Sequence, residues 1–167
     1  KVHPELTYHI VGTGEEEPSL RELAGKMGLE SRIVFHGGVS DPVLAGLYGR
    51  SSLFLYGSIG EPFGMAPLEA IASGTPVVAH NSGGPQEFVS EECGRLIVSL
   101  NVEDWAREIS QYLDFLFVHP EFPEQVRECA RRYDWPQSLR PAVDIIIGLC
   151  VAADRNHLQN ILGEKVG

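Results

Sequence analysis

The chain is poor in basic residues, and this scarcity excludes one class of partner. Its 167 residues contain 13 Lys and Arg against 23 Asp and Glu, so the formal net charge is −10 at pH 7. A protein that binds nucleic acid neutralises phosphates with a basic patch or stripe, and the sequence contains none. The same deficit argues against an anionic membrane surface as a docking site. We therefore expect no nucleic acid and no direct membrane contact.

Cysteine and long apolar runs are also scarce. Cys93, Cys129 and Cys150 are odd in number, far apart and without a Cys-x-x-Cys pair, which indicates reduced thiols in a cytoplasmic protein. The chain opens on a polar segment, without the apolar run of a signal peptide. The longest apolar stretch, residues 143–153, is shorter than the roughly 20 residues that span a bilayer. We interpret it as a helix that faces the core.

Histidine spacing of the kind that binds metal is missing as well. The six histidines stand at positions 3, 9, 36, 80, 119 and 157, and none are paired at the four-residue spacing of a metal-binding helix. The pattern favours surface histidines, or core histidines with hydrogen-bond partners, over a metal site.

Short apolar strands alternate with helices along the first hundred residues. Such alternation is typical of β-α-β units and predicts an α/β fold, a Rossmann-like doubly wound parallel sheet with helices on both faces. We expect Asp41 to be an N-cap, with Pro42 in the first helical position, and Gly74 to close a helix. The predicted strands are residues 6–12, 32–37, 52–57, 75–80 and 94–99, and the predicted helices are 19–29, 41–51 and 65–74.

The rest of the chain reads as helical. Helices are predicted over residues 102–117, 120–134 and 136–162, the last broken by Pro141. We therefore expect a Rossmann-like domain over residues 1–135 and a C-terminal helical tail over 136–167. The tail packs on its own sheet or reaches another domain. In the second case its apolar residues would drive self-association: Leu158, Ile161 and Leu162.

Glycines gather where the predicted strands end. In a doubly wound sheet, ligands bind outside the carboxyl ends of the strands, and a glycine lets the backbone approach a ligand closely. Tight turns alone would explain any one pair, but several pairs on one edge favour a binding edge. The pairs are Gly12 and Gly14, Gly37 and Gly38, Gly57 and Gly60, and Gly83 and Gly84.

One short helix carries a carboxylate on either side of its first turn. If Gly64 is the N-cap, the N–H groups of Met65 and Ala66 point out of the positive helix end, where an anion such as phosphate would bind. Glu61 precedes this end, and Glu69 follows Met65 by four residues, about 6 Å along the axis.

Carboxylates repel phosphate, so these two are suited to hydroxyl groups on either side of it. A nucleotide that carries a sugar has hydroxyls in these places. The residues also fit a simpler interpretation, in which Glu61 favours the helix terminus and Glu69 is a solvated helix residue.

The segment Glu61–Glu69, with two glutamates separated by seven residues, resembles the signature of a known enzyme family. Together with the following AIASGTPVVA, it is similar to the retaining glycosyltransferases of the GT-B fold, the group 1 or family 4-like enzymes. Three further segments resemble that family: ELTYHIVGTGEE, MGLESRIVFHGGVSDPVLAGLYGRSSLFLYGS and NSGGPQEFV. The resemblance covers residues 4 to about 115. It implies the C-terminal, donor-binding domain of a hexosyltransferase.

The resemblance also implies roles for particular residues. Glu61, the catalytic candidate, would contact hydroxyls of the donor sugar, and Glu69 would bind the ribose hydroxyls. Backbone groups of Met65 and Ala66, after the Phe63-Gly64 pair, would hold the diphosphate. The base would meet Val39, in a pocket lined by Gly12 and Gly14. The family implies front-face substitution with retention of configuration, and neither a metal nor another cofactor.

Some parts that the family requires are not found in these residues. The resemblance implies an N-terminal domain that binds most of the acceptor, which is unidentified, and an upstream strand and helix with an Arg and a Lys that neutralise the diphosphate. Lys1, Arg21, Lys26 and Arg32 stand at the wrong positions. Two charges about 4 Å apart interact by about 4 kcal/mol at an effective dielectric of 20. We therefore expect this piece alone to bind a nucleotide sugar weakly and to transfer nothing. Access to a membrane would come only through the other domain.

Three other functions compete with this interpretation. A non-catalytic nucleotide-sugar or protein-binding module of the same fold would explain the missing basic residues. A sugar-nucleotide 2-epimerase shares the two-domain fold, but the spacing of the two glutamates favours the transferase. A dehydrogenase would need a third glycine where Glu17 stands.

Overall fold

Parallel strands alternate with helices along most of the chain, which confirms the α/β fold class. The structure is a computed structural model and describes residue 3, residues 5–134 and residues 136–147. The chain divides into two compact units, Lys1–Cys129 and Ala130–Gly167. The boundary that we expect after residue 135 stays a prediction.

Five strands and six α-helices follow one another in chain order within residues 8–130. They are β1 (Tyr8–Val11), α1 (Glu17–Lys26), a 3₁₀ turn (Glu30–Arg32), β2 (Ile33–Gly37), α2 (Asp41–Tyr48), β3 (Phe54–Tyr56), α3 (Met65–Ala72), β4 (Val77–His80), α4 (Pro85–Phe88), β5 (Gly94–Ile97), α5 (Val102–Val118) and α6 (Phe122–Ala130). A second 3₁₀ turn (Arg131–Tyr133) follows α6, and residues 136–147 are helical.

The strands form two parallel ladders among the described residues. β1 pairs with β2, and β4 pairs with β3 on one side and β5 on the other. All four residues of β4 are buried, whereas three of the four residues of β1 are exposed. The core of the first unit therefore surrounds β4. Its least exposed apolar residues are Ala70, Ile71, Val77, Val78, Ala79, Cys93 and Val126.

Several predicted boundaries differ from the observed ones. α1 begins at Glu17 rather than at residue 19, because Pro18 fits a first turn, where no intrahelical N–H bond is lost. α2 begins at Asp41, so Ser40, not Asp41, is the N-cap. The short helix α4 was not predicted, because its four residues are too few to show a helical period.

The C-terminal end of α3 confirms the prediction for Gly74. Gly74 has φ 85°, and its N–H donates to the carbonyl of Ile71, while the N–H of Thr75 donates to the carbonyl of Ala70. These two bonds form a Schellman motif, in which a glycine directly after the C-cap satisfies the last carbonyls. The turn leads the chain directly into β4.

Residues 136–147 differ from the prediction in two ways. The helix continues through Pro141 without a break, although proline removes the bond to the carbonyl four residues earlier and its ring crowds that carbonyl. The surrounding residues are exposed, so that carbonyl can accept from water instead. In the described part of the stretch that we interpret as facing the core, the apolar residues Val143, Ile145, Ile146 and Ile147 are 44–64% exposed. The rest of that stretch, residues 148–153, lies outside the described residues. Leu158, Ile161 and Leu162 lie outside the described residues.

Two further observations concern the described residues only. No disulfide joins Cys93 and Cys129, and both are buried; Cys150 lies outside the described part. Among the helices of residues 3, 5–134 and 136–147, none is long and apolar enough to cross a membrane.

Candidate functional site

The N-terminus of α3 has the geometry that the sequence predicts. Gly64 is the N-cap, with φ 87° and ψ 64°, a left-handed conformation that favours glycine. The first intrahelical bond runs from the N–H of Leu68 to the carbonyl of Gly64 at 3.4 Å. The N–H groups of Met65 and Ala66 precede this bond and have no intrahelical acceptor. They are available to an anion at the positive end of the helix.

The loop that carries Glu61 packs directly against the two glycines that follow β4. The N–H of Gly84 donates to the carbonyl of Glu61 at 2.8 Å. A Cβ on Gly83 would lie 2.2 Å from that carbonyl oxygen, and a Cβ on Gly84 would lie 1.9 Å from the carbonyl oxygen of Phe63. These glycines therefore serve backbone packing within the chain rather than leaving open space for a ligand.

The glycines at the other strand ends have open space beside them. A Cβ on Gly12, Gly14, Gly37 or Gly38 would meet no heavy atom within 4 Å. The N–H of Gly12, at φ 118°, donates to the carbonyl of Gly37 at 2.8 Å. This bond joins the loop after β1 to the end of β2, where the loop after β2 begins. Val39 is half-buried in the second of these loops, directly before the N-cap of α2.

Glu69 has a partner that the sequence did not indicate. The hydroxyl of Tyr48, the last residue of α2, donates to Oε2 of Glu69 at 3.5 Å. Tyr48 is only 8% exposed, and its carbonyl accepts a hydrogen bond from the hydroxyl of Thr75. Burial, and then the Glu69 carboxylate, raise the pKa of Tyr48 to about 12. Since the phenol stays protonated at neutral pH, it remains a donor to Glu69.

Phe63 lies at the surface beside the helix terminus. Its side chain is 42% exposed, and its ring centroid lies 6.0 Å from that of Phe88 in α4. The structure thus brings together Glu61, Phe63 and Gly64 through the turn after β4. The described hydrogen bonds do not join Gly14 or Val39 to this cluster.

Three of the four basic residues that stand at the wrong positions for the diphosphate have contacts of their own. The Arg21 guanidinium pairs with Glu17 at 2.7 Å and lies over the ring of Phe35. Lys26 pairs with Glu22 at 2.6 Å, and Arg32 donates to backbone carbonyls near the chain start. Lys1 lies outside the described residues. These contacts support the expectation that none of the three serves a diphosphate.

Two histidines meet across β1 and β2, although their spacing in the sequence gives no sign of it. Nδ1 of His9 lies 2.8 Å from Nε2 of His36, and the rings stack with centroids 5.1 Å apart. Within the described ranges, no group of three or more His, Cys, Asp or Glu side chains is placed to hold a metal ion. The expectation that no metal or cofactor is used stays a prediction.

The sequence matches a known family over most of its length. The family described as glycosyl transferases group 1 matches residues 1–132. The D-inositol 3-phosphate glycosyltransferase of Salinispora tropica is 32% identical over 151 residues, which cover 89% of this chain and 31% of that protein. The chain therefore spans less than a third of the length of this relative.

Solved structures with the same fold include enzymes of sugar transfer. The pneumococcal O-GlcNAc transferase GtfA, in complex with UDP and GlcNAc, is 26% identical with a TM-score of 0.72, covering 88% of this chain and 30% of that one. Anabaena Alr3699/HepE, in complex with UDP-glucose, also has a TM-score of 0.72 at 24% identity, covering 87% of this chain and 42% of that one. The second likeness concerns the fold alone.

Proposed function

Since the chain belongs to the family of group 1 glycosyl transferases, we propose that it is the C-terminal, donor-binding domain of a retaining glycosyltransferase. The complete enzyme would transfer a hexose from a nucleotide diphosphate sugar to an acceptor. The observation that carries the proposal is the N-terminus of α3, with Glu61 before it and Glu69 one turn inside it. An anion site between two carboxylates suits a phosphate flanked by hydroxyl-bearing groups.

Each part of the donor has a proposed place. The diphosphate accepts from the N–H groups of Met65 and Ala66, and the ribose hydroxyls donate to Glu69. The Glu61 carboxylate accepts from hydroxyls of the sugar. As the bond between the sugar and the diphosphate breaks, negative charge develops on the leaving diphosphate, and the helix terminus stabilises this charge. The base lies near Val39, beside the open backbone of Gly12 and Gly14.

Uracil is the base that we propose to test first. The support comes from GtfA, whose structure holds UDP and which is 26% identical to this chain. Guanine and adenine nucleotides are the comparison ligands, because the contacts proposed near Val39 are made by the main chain. Transfer assays on the complete enzyme would identify the sugar and the acceptor.

The rest of the enzyme is proposed to supply a strand that completes the sheet and the cations that neutralise the diphosphate. β1 and β3 each pair on one edge only among the described residues, and one further parallel strand between them would join the two ladders. Apolar side chains of β1 and α1 are exposed, among them Tyr8, Leu20, Leu23 and Met27 at 42–62%. Residues outside the 167 would cover them and supply cations for the diphosphate. Without these residues we expect weak donor binding and no transfer.

Calorimetric titration of this chain with UDP, GDP, ADP, UDP-glucose and GDP-mannose tests the proposal. We expect one nucleotide to bind the wild type, and Glu69→Ala to weaken that binding at least tenfold, as expected for hydrogen bonds to a charged group. Glu91→Ala, an exposed glutamate in the loop before β5, is the matched control.

Two results would contradict the proposal. One is a nucleotide affinity that Glu69→Ala leaves unchanged. The other is a lack of nucleotide binding that persists when the chain is extended to the length of its relatives. In that longer protein, NMR analysis of the product anomer tests retention of configuration.

A further inference from the structure

Two residues at the end of β4 hold the chain that leads into Glu61. The Oγ of Ser82 accepts from the N–H of Gly60 at 3.1 Å, and Nδ1 of His80 lies 2.8 Å from the same oxygen. We propose that Ser82 and His80 are positioning residues, which fix Gly60 and thereby set where the Glu61 carboxylate meets the donor sugar. This inference rests on the proposed function of Glu61.

The chain segment that carries His80 and Ser82 is fixed by burial and by backbone hydrogen bonds. His80 is the last residue of the buried strand β4 and is 8% exposed. The N–H of Asn81 donates to the carbonyl of Ile97 at 2.8 Å, so the pairing with β5 continues past the end of β4. The N–H of Ser82 donates to the carbonyl of His80, also at 2.8 Å. Ser82 is therefore held to the sheet while it reaches the neighbouring loop.

The hydroxyl of Ser82 can make both of its contacts at the same time. A serine hydroxyl has one proton to donate and two lone pairs to accept with. Because Oγ of Ser82 accepts from Gly60, it can still donate to Nδ1 of His80 or accept from it, according to the tautomer of the imidazole. Nε2 of His80 is buried and has no hydrogen-bond partner among the described residues. The contact with Ser82 is thus the polar interaction that offsets burial of the ring.

The two-residue segment of Gly60 and Glu61 is held by a hydrogen bond at each end. Ser82 accepts from the N–H of Gly60, and Gly84 donates to the carbonyl of Glu61 at 2.8 Å. Gly60 has φ 70°, a conformation that other residues rarely adopt. Loss of the Ser82 contact would free only the first of these two ends. The N-terminus of α3 and Glu69 would keep their geometry, so recognition of the sugar would change while binding of the nucleotide would not.

The test compares UDP with UDP-glucose on variants of the full 167-residue chain. The measured quantity is the glucose increment, the ratio of the dissociation constant of UDP to that of UDP-glucose. We expect Ser82→Ala and His80→Ala to lower this ratio by about two- to tenfold, the effect of losing one neutral hydrogen bond. The affinity for UDP itself stays the same. His80→Asn places an amide group where Nδ1 stands, so we expect it to retain the wild-type ratio. Ser58→Ala, an exposed serine in the same loop, is the control.

A second measurement does not depend on donor binding. The amide proton of Gly60 is expected to move upfield in the NMR spectrum of Ser82→Ala and His80→Ala, and to remain in place in His80→Asn. If Ser82→Ala keeps both the Gly60 resonance and the glucose increment, the inference is overturned. If neither ligand binds the wild type, nor the chain extended to the length of its relatives, the proposed function fails, and the Gly60 resonance alone decides whether the two residues position the loop. Since His80→Ala removes a buried ring, Ser82→Ala is the deciding variant where His80→Ala does not fold.

Discussion

The phenol of Tyr48 lies at the end of α2 and reaches 3.5 Å across to Oε2 of Glu69, in the second turn of α3. The two residues lie 21 positions apart in the sequence. Tyr48 is nearly buried, and its own carbonyl is held by Thr75, so the donor has a fixed position. Glu69 itself is exposed, so the Tyr48 hydroxyl is the protein group that can orient one of its oxygens.

Removal of this hydroxyl should weaken nucleotide binding without abolishing it. Tyr48→Phe keeps the ring in place but leaves Glu69 free to rotate, so we expect the affinity for UDP to fall about two- to tenfold. Calorimetric titration measures it, with Tyr133→Phe in the second unit as the control. An unchanged affinity would mean that Tyr48 does not orient Glu69 for the ribose.

The same tyrosine makes stability depend on alkaline pH. Burial and Glu69 raise the pKa of Tyr48 from its ordinary value of 10.0 to about 12 in the folded chain. The contribution of the neutral phenol is therefore fully present below pH 10 and is lost as the pH rises through 12. We expect the free energy of unfolding to fall more between pH 8 and pH 11 in the wild type than in Tyr48→Phe.

Urea denaturation at the two pH values gives the comparison. Burial also raises the pKa of Tyr112, so both proteins lose stability, and only the difference between them reports Tyr48. An equal loss in the two proteins would contradict the assigned cause.

The sequence contains enough local information to predict the strands, the main helices and the opening of α3. Short apolar runs and helical periods can be recognised from neighbouring residues alone, and so can the glycine and proline signals of helix ends around Gly64 and Gly74. The resemblance of these segments to group 1 glycosyl transferases is confirmed by the match over residues 1–132, whereas the retaining mechanism and the C-terminal, donor-binding role stay predictions.

Contacts between distant segments could not be predicted in this way. The approach of Gly83 to Glu61 and the bond from Tyr48 to Glu69 each join residues that lie more than 20 positions apart, and no period or motif encodes them. The separation of the strands into two ladders likewise depends on pairing, which strand patterns leave open. The roles of the site residues stay predictions for the binding experiments.

Capping of α5 gives a local test of stability. Oδ1 of Asn101, the N-cap, accepts from the N–H of Glu103 at 2.7 Å. Asn101→Ala should lower the free energy of unfolding by about 1 kcal/mol, whereas Asn101→Asp should retain the cap. Ser40, the N-cap of α2, makes no such side-chain bond, so Ser40→Ala should cost less. Equal losses for Asn101→Ala and Ser40→Ala in urea denaturation would refute the assignment.

The packing of Gly84 against Phe63 gives the strongest structural prediction. A Cβ on Gly84 would lie 1.9 Å from a backbone oxygen, which cannot rotate away as a flexible side chain would. Gly84→Ala should therefore shift the Glu61 loop and lower the free energy of unfolding by about 1–3 kcal/mol, the usual cost of forced overpacking. Gly57→Ala is the control, since its Cβ meets no heavy atom within 4 Å and its φ is not positive. Thermal and urea denaturation compare the two, and equal stability would mean that the turn after β4 does not hold this loop. If Gly84→Ala is destabilised and also loses the preference for UDP-glucose over UDP, fold and sugar recognition depend on the same contact.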